Sequence, residues 1–161
     1  MNIVFLDRDT LGPHTRLRAP GFPHRLASHG HTAAHEVAER IADALDPDTL
    51  LPAVGQGAIG IERRLVDSRA AAMLEAIHHG PTGQRLKAER AFLAALDGSC
   101  QTPIAGLAEL SGGNLRLRGE ILRVDGSEVI RDDQTAAIED GAALGREMAR
   151  KMLEKAGPGF F

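Results

Sequence analysis

The chain has a single cysteine, no tryptophan, no tyrosine and an aromatic content of only 3% in 161 residues. A lone cysteine excludes an internal disulfide. The shortage of aromatics disfavours single-strand nucleic-acid recognition, which stacks bases on aromatic rings. The formal net charge of -3 leaves no broad basic surface for a phosphate backbone, so no nucleic-acid partner is expected. Long apolar runs are also missing. The N-terminal run over residues 3–6 ends at Asp7-Arg8-Asp9, too short for a signal peptide, and no stretch approaches the roughly 20 apolar residues of a membrane span. One cysteine without an export segment points to the cytoplasm and to no membrane partner. The dinucleotide fingerprint, the P-loop, the nucleophile elbow and the zinc-protease helix motif are all absent.

What is present is an ordinary globular composition, 43% hydrophobic and 25% charged, whose core must be built from Leu, Ile, Val, Ala and Met. Residues 2–6 read as a short buried strand and residues 7–31 as a loop. Thr32 is placed to cap a helix carrying Val37, Ile41 and Leu45, which Asp46-Pro47 ends. A glycine-rich run with Gly55, Gly57 and Gly60 leads into a strand over residues 58–63. These glycines read either as backbone that something approaches closely or as a plain turn before the strand. Asp67-Ser68 opens a helix with Ala71, Leu74 and Ile77, which His78-His79-Gly80-Pro81 breaks. Thr82 is placed to cap the next helix, carrying Arg85, Leu86, Ala88, Phe92 and Leu96. The period then switches to that of strands, over residues 104–110, 114–122 and 127–131. Hairpin turns are expected at Ser111-Gly112-Gly113-Asn114 and Val124-Asp125-Gly126-Ser127. A last helix presents Leu144, Met148 and Met152 and stops at Gly157-Pro158-Gly159.

The expected fold class is α+β: a C-terminal three-stranded antiparallel sheet packed with helices, preceded by a small βαβα segment. The strand over residues 3–6 is expected as a parallel neighbour of the strand over 58–62, with the intervening helix as crossover. Three parts follow: residues 1–45, residues 46–80 with the glycine-rich strand and helix, and residues 81–161.

Chemistry-bearing residues are few. His29, His31 and His35 lack an Asp, Glu or Cys to complete a ligand set, so no metal site is assigned. His78-His79 read as helix-end residues suited to the terminal carbonyls. Arg85, Lys87 and Arg90 read as a solvated helix face. Cys100 follows an amphipathic helix and a Gly98-Ser99 turn and precedes Pro103. It is either a presented thiol or a small buried hydrophobe, the usual fate of a free cysteine.

The run from Glu89-Arg90 through Phe92, Leu96, Gly98, Ser99 and Cys100 to Thr102-Pro103 resembles the cofactor-attachment signature of the hydroxymethylbilane synthase (porphobilinogen deaminase) family, with every fixed position present. The run Leu51-Pro52-Ala53-Val54-Gly55-Gln56-Gly57-Ala58-Ile59-Gly60-Ile61-Glu62 is similar to a second hallmark of that family. Leu144-Gly145-Arg146-Glu147 in the last helix also fits. The resemblance covers residues 46–161 and implies a transferase of porphyrin and haem biosynthesis. In that family the equivalent of Cys100 forms a thioether to a dipyrromethane cofactor, which is built from two porphobilinogen units and primes the addition of four more. The resemblance further implies cofactor contacts at Gln56, Gly98 and Ser99. The family's catalytic aspartate belongs to a region with no match here, so no catalytic residue is assigned. The chain alone is expected to be inactive or weakly active, and a complementing chain carrying the missing domains is an expected partner beside porphobilinogen. Residues 1–44 resemble the opening βα unit of D-2-hydroxyacid dehydrogenases, without a catalytic motif, so a fusion of two gene fragments is expected near Ala44-Leu45-Asp46. The alternatives are a non-catalytic pyrrole- or partner-binding module and a dehydrogenase fragment.

Overall fold

The computed structural model describes residues 46–98 and 102–161, together with the backbone of residues 2–6. The expected loop over 7–31, its histidines His29, His31 and His35, and the helix capped by Thr32 lie outside the described residues. The chain divides into two compact units. The first comprises Met1–Leu50 and Gln56–Thr82, the second Leu51–Gly55 and Gly83–Phe161.

In the first unit, strand β1 (Asn2–Leu6) pairs with β2 (Ile59–Arg63), Asn2 opposite Arg63 and Leu6 opposite Ile59. The pairing is antiparallel, which corrects the expected parallel one. A parallel pair is the less stable arrangement per residue and normally needs both faces covered. β2 is exposed at Ile59, Gly60 and Glu62, so it lacks that cover. Helix α1 (Ser68–Glu75) begins where expected, because the Asp67 carboxylate accepts from the Ala70 N–H at 2.9 Å. It ends before Ile77, which is exposed.

Helix α2 (Gly80–Ala95) starts before Thr82 rather than being capped by it. Pro81 fits the first turn, where its missing N–H has no intrahelical partner to lose. His79 therefore stands just before a helix start, not at the terminal carbonyls of α1. Its Nδ1 lies 2.8 Å from the Thr82 hydroxyl.

The second unit holds the sheet. Strands β3 (Ile104–Ser111), β4 (Asn114–Leu122) and β5 (Val129–Ala137) form an antiparallel sheet in the order β3-β4-β5. Gly112 and Gly113, with φ of 56° and 83°, make the two-residue turn between the first two strands. Both residues of such a turn need positive φ, which glycine supplies. Helix α3 (Gly141–Ala156) follows a short 3-10 turn (Ile138–Asp140).

One face of the sheet carries the core. Leu115, Leu117 and Ile121 alternate along β4 and are fully buried with Phe92, Met148 and Ala149. The opposite face carries ion pairs: Arg116 with Asp133, Arg118 with Glu109, and Arg131 with Glu120.

In a chain so poor in aromatics, Phe92 is the centre of this core, and glycines make room for it. A Cβ on Gly119 would lie 2.7 Å from Phe92 Cζ, and one on Gly145 would lie 2.9 Å from the Phe92 nitrogen.

Candidate functional site

Helix α2 buries Leu86, Ala88, Phe92 and Leu96, and on the same side it buries one carboxylate, Glu89, only 5% exposed. A charged group so deep must be paired or hydrogen-bonded. Glu89 accepts two backbone hydrogen bonds, from Gly55 N–H to Oε2 at 2.7 Å and from Ala108 N–H to Oε1 at 2.8 Å. Burial pushes its carboxyl above the ordinary 4.5, while the two N–H groups and the charge of Arg85, one turn earlier, pull it partly back.

The Ala108 N–H belongs to the outer edge of β3, the edge that β4 leaves unpaired. Two residues earlier on that edge, the Gly106 N–H donates to the Pro52 carbonyl at 2.9 Å. Residues 51–55 thus lie as a strap along β3, with Val54 over Gly106, where an added Cβ would meet its side chain at 3.0 Å. This satisfies an edge that would otherwise present free N–H groups.

Helix α2 closes in a Schellman motif. Gly98 N–H donates to the Leu93 carbonyl at 3.0 Å and Asp97 N–H to the Ala94 carbonyl at 3.2 Å. Asp97 takes the left-handed position, with φ of 53°. Gly98 comes next, packed so that a Cβ would lie 2.5 Å from Leu93 Cδ1 and 2.7 Å from Ile104 Cδ1. On the other flank, Ile104 N–H donates to the Thr102 carbonyl at 2.9 Å, and the Pro103 carbonyl accepts from Leu122 N–H at 3.0 Å. The two flanks are thus fixed, one on α2 and one on the sheet. Ser99 and Cys100 themselves lie outside the described residues.

Gln56 lies half-buried in the turn over residues 54–57, and Gly55 and Gly57 have φ of 70° and 83°. Turn geometry therefore accounts for these two glycines. Gly60 sits opposite Phe5 in the β1–β2 pair. Of the basic group, Lys87 and Arg90 are exposed and Arg85 is half-buried. No cluster of metal-ligating side chains occurs among the described residues, and none of their helices is long and apolar enough to cross a membrane.

Sequence reasoning missed the role of Glu89, which entered only as a letter of a motif. The signal was there: a carboxylate spaced with Leu86, Phe92 and Leu96 falls on the apolar side of the helix.

Comparison with known proteins agrees with this geometry. Residues 84–154 match the family model "Porphobilinogen deaminase, C-terminal domain". The porphobilinogen deaminase of Paracoccus denitrificans is 58% identical over 118 residues, 73% of this chain and 38% of that protein. That of Moorella thermoacetica is 50% identical over 105 residues, 65% of this chain and 34% of that protein. The chain thus spans less than two-fifths of the length of these relatives. Residues 84–154, from within α2 to near the end of α3, are thus similar to the C-terminal domain of porphobilinogen deaminases.

Proposed function

We propose that this chain carries the cofactor-attachment part of a porphobilinogen deaminase (hydroxymethylbilane synthase), a transferase of porphyrin biosynthesis, with Cys100 as the thioether anchor of a dipyrromethane. The observation that carries the reading is the pair of fixed flanks. The only thiol of the chain falls between a Schellman-closed helix and a strand start held by Leu122, within a domain related to that family.

The chemistry asks for access rather than for an activated nucleophile. Porphobilinogen that has lost ammonia is an electrophilic azafulvene at its methylene carbon. The Cys100 sulfur forms a C–S bond there, and its proton goes to the ring nitrogen. The balance is thiol plus porphobilinogen giving thioether plus ammonia. When bound, the dipyrromethane supplies a reactive pyrrole end for chain growth. Gln56, Gly98 and Ser99 are the residues assigned to contact it.

Among the described residues the charge complement for a pyrrole chain is partial. Pyrrole side chains bring several carboxylates, yet Arg116, Arg118, Arg123, Arg131 and Arg150 are engaged with carboxylates of the chain itself. Among the described residues, Lys87 and Arg90 on α2 are exposed cations, as are Arg64, Arg69, Arg146 and Lys155 elsewhere. This supports a chain that is inactive or weakly active alone, with a complementing chain supplying further basic groups.

The test is the intact mass of the chain expressed in a porphobilinogen-producing host, with Ehrlich's reagent as a second readout. A two-pyrrole adduct, absent from Cys100→Ser, is the expected result. An unmodified chain would overturn the assignment and leave a non-catalytic module.

A further inference from the structure

Helix α1 is apolar on both of its long sides, yet none of its residues is buried. At about 100° per residue, Ala70, Ala71 and Leu74 share one side and are half-buried. Arg69, Ala72, Met73 and Ala76 share the other and are exposed, Met73 by 65%. Ile77 follows one turn after Met73 and is 51% exposed. Six of the nine exposed large apolar side chains among the described residues fall between Leu50 and Ile77. A helix that is apolar all round is ordinarily buried in the core of a larger protein. One of eight residues is also well below the length of about 12–15 that is even marginal alone in water. The Asp67 cap satisfies a single N–H. The stability of α1 must therefore come from packing, and the described residues half-cover only one of its sides.

The relatives indicate what covers the other side. Any stretch of 118 residues in a chain of 161 contains residues 44–118, so α1 lies within the match to the Paracoccus denitrificans protein. More than three-fifths of that protein has no counterpart in this chain. We propose that the outer side of α1, formed by Arg69, Ala72, Met73, Ala76 and Ile77, is the docking surface for the part of a porphobilinogen deaminase that this chain does not match. The proposal rests on the complementing chain put forward above and gives it a place to bind. Covering Met73 and Ile77 is what the contact gains, so the partner's face is apolar. Arg69 needs an acceptor once it is covered, so that face also carries a carboxylate or carbonyl opposite the guanidinium. A second copy of this chain would offer the same outer side, which has no carboxylate on it.

The test co-expresses the unmatched part of the Paracoccus denitrificans protein with the full chain as a second polypeptide, so that it can fold against α1. Cys100→Ser is used throughout, which keeps pyrrole attachment out of the experiment. In the chain alone, the amides of residues 72–77 should exchange at close to the rate of an unfolded peptide. In the complex they should slow by about tenfold or more, with β4 unchanged. Met73→Asp combined with Ile77→Asp should weaken the complex by at least about tenfold. Both side chains are exposed in the chain, so its urea midpoint should hardly move. Val124→Asp, at an apolar side chain 78% exposed in the second unit, should leave the affinity within about twofold. Four results would each overturn the proposal: α1 amides already protected in the chain alone, protection that grows with the chain's own concentration, no complex on co-expression, or a complex indifferent to the double substitution. The last would leave the complementing chain standing, bound at another surface. No readout involves Cys100, so a wild-type chain without a pyrrole adduct would sink the anchor reading alone.

Discussion

Gly145→Ala is the substitution at which two ordinary rules disagree. Gly145 lies in the interior of α3, where alanine is favoured over glycine by about 0.8–1 kcal/mol. A Cβ there, however, would stand 2.4 Å from the Ala88 carbonyl oxygen and 2.9 Å from the Phe92 nitrogen of α2. Both are backbone atoms of a packed helix, so no side chain can rotate aside. Ordinary contact requires the helices to part by about 1 Å, a gap that forfeits a quarter to a half of each dispersion contact it opens. The surroundings are fully buried, with Ala88, Phe92, Met148 and Ala149 all at 0% exposure. Overpacking of such a core costs about 1–3 kcal/mol, and backbone against backbone places this site at the upper end. Subtracting the propensity gain leaves a net loss of about 2 kcal/mol. The assay is urea unfolding followed by far-ultraviolet circular dichroism. Ala143→Gly, at an exposed position of the same helix, serves as the propensity control and loses about 1 kcal/mol. A Gly145→Ala protein as stable as wild type, or more stable, would refute the close approach of α2 and α3.

Two further outcomes follow from single residues. Asp97 holds a left-handed conformation that glycine adopts without strain, so Asp97→Gly should raise stability by about 0.5–1 kcal/mol in the same unfolding assay; a loss would mean that its side chain has a role beyond the turn. For Glu89, the folded-state pKa lies above the unfolded value of 4.5, so the native state binds this proton more tightly and the associated stability is fully present below 4.5 and lost as pH rises through the folded pKa. Wild type minus Glu89→Gln, measured by urea unfolding between pH 4 and pH 7, should therefore decline with rising pH, and a flat or rising difference would contradict the dominance of burial.

Much of the second unit was legible because its signals are local. The alternation of Leu115, Leu117, Gly119 and Ile121 gives β4 its period, and the Gly112-Gly113 pair gives the hairpin turn. β5 was harder. It runs over Val129–Ala137, well past the expected end at residue 131, through Asp132-Asp133-Gln134. Those residues have poor strand propensity, and they are kept extended by cross-strand partners on β4. Arg116 grips the Asp133 carboxylate with Nε at 3.0 Å and Nη2 at 2.6 Å. Such pairs are nonlocal, so no window of sequence around residue 133 contains the information. The direction of β1 failed for a similar reason, since nothing within residues 2–6 specifies the polarity of a partner more than fifty residues away.

The family signature around the cysteine holds two kinds of residue that a pattern does not distinguish. Glu89, Phe92, Leu96 and Gly98 are explained by the fold alone. The first clamps a strap and a strand edge, the second fills the space left by Gly119 and Gly145, the third is buried, and the fourth closes a helix against Leu93 and Ile104. Each would be needed to hold residues 99–101 between the same flanks whether or not any pyrrole is ever attached. Matching these positions is therefore evidence for the domain and says little about activity. The chemical content of the motif rests on the Cys100 thiol, and on whether a second source of positive charge meets the carboxylates that a pyrrole chain would bring. A measured adduct on Cys100 in a chain that does not turn over porphobilinogen would separate these two requirements experimentally, because attachment needs the presented thiol while elongation also needs the charge.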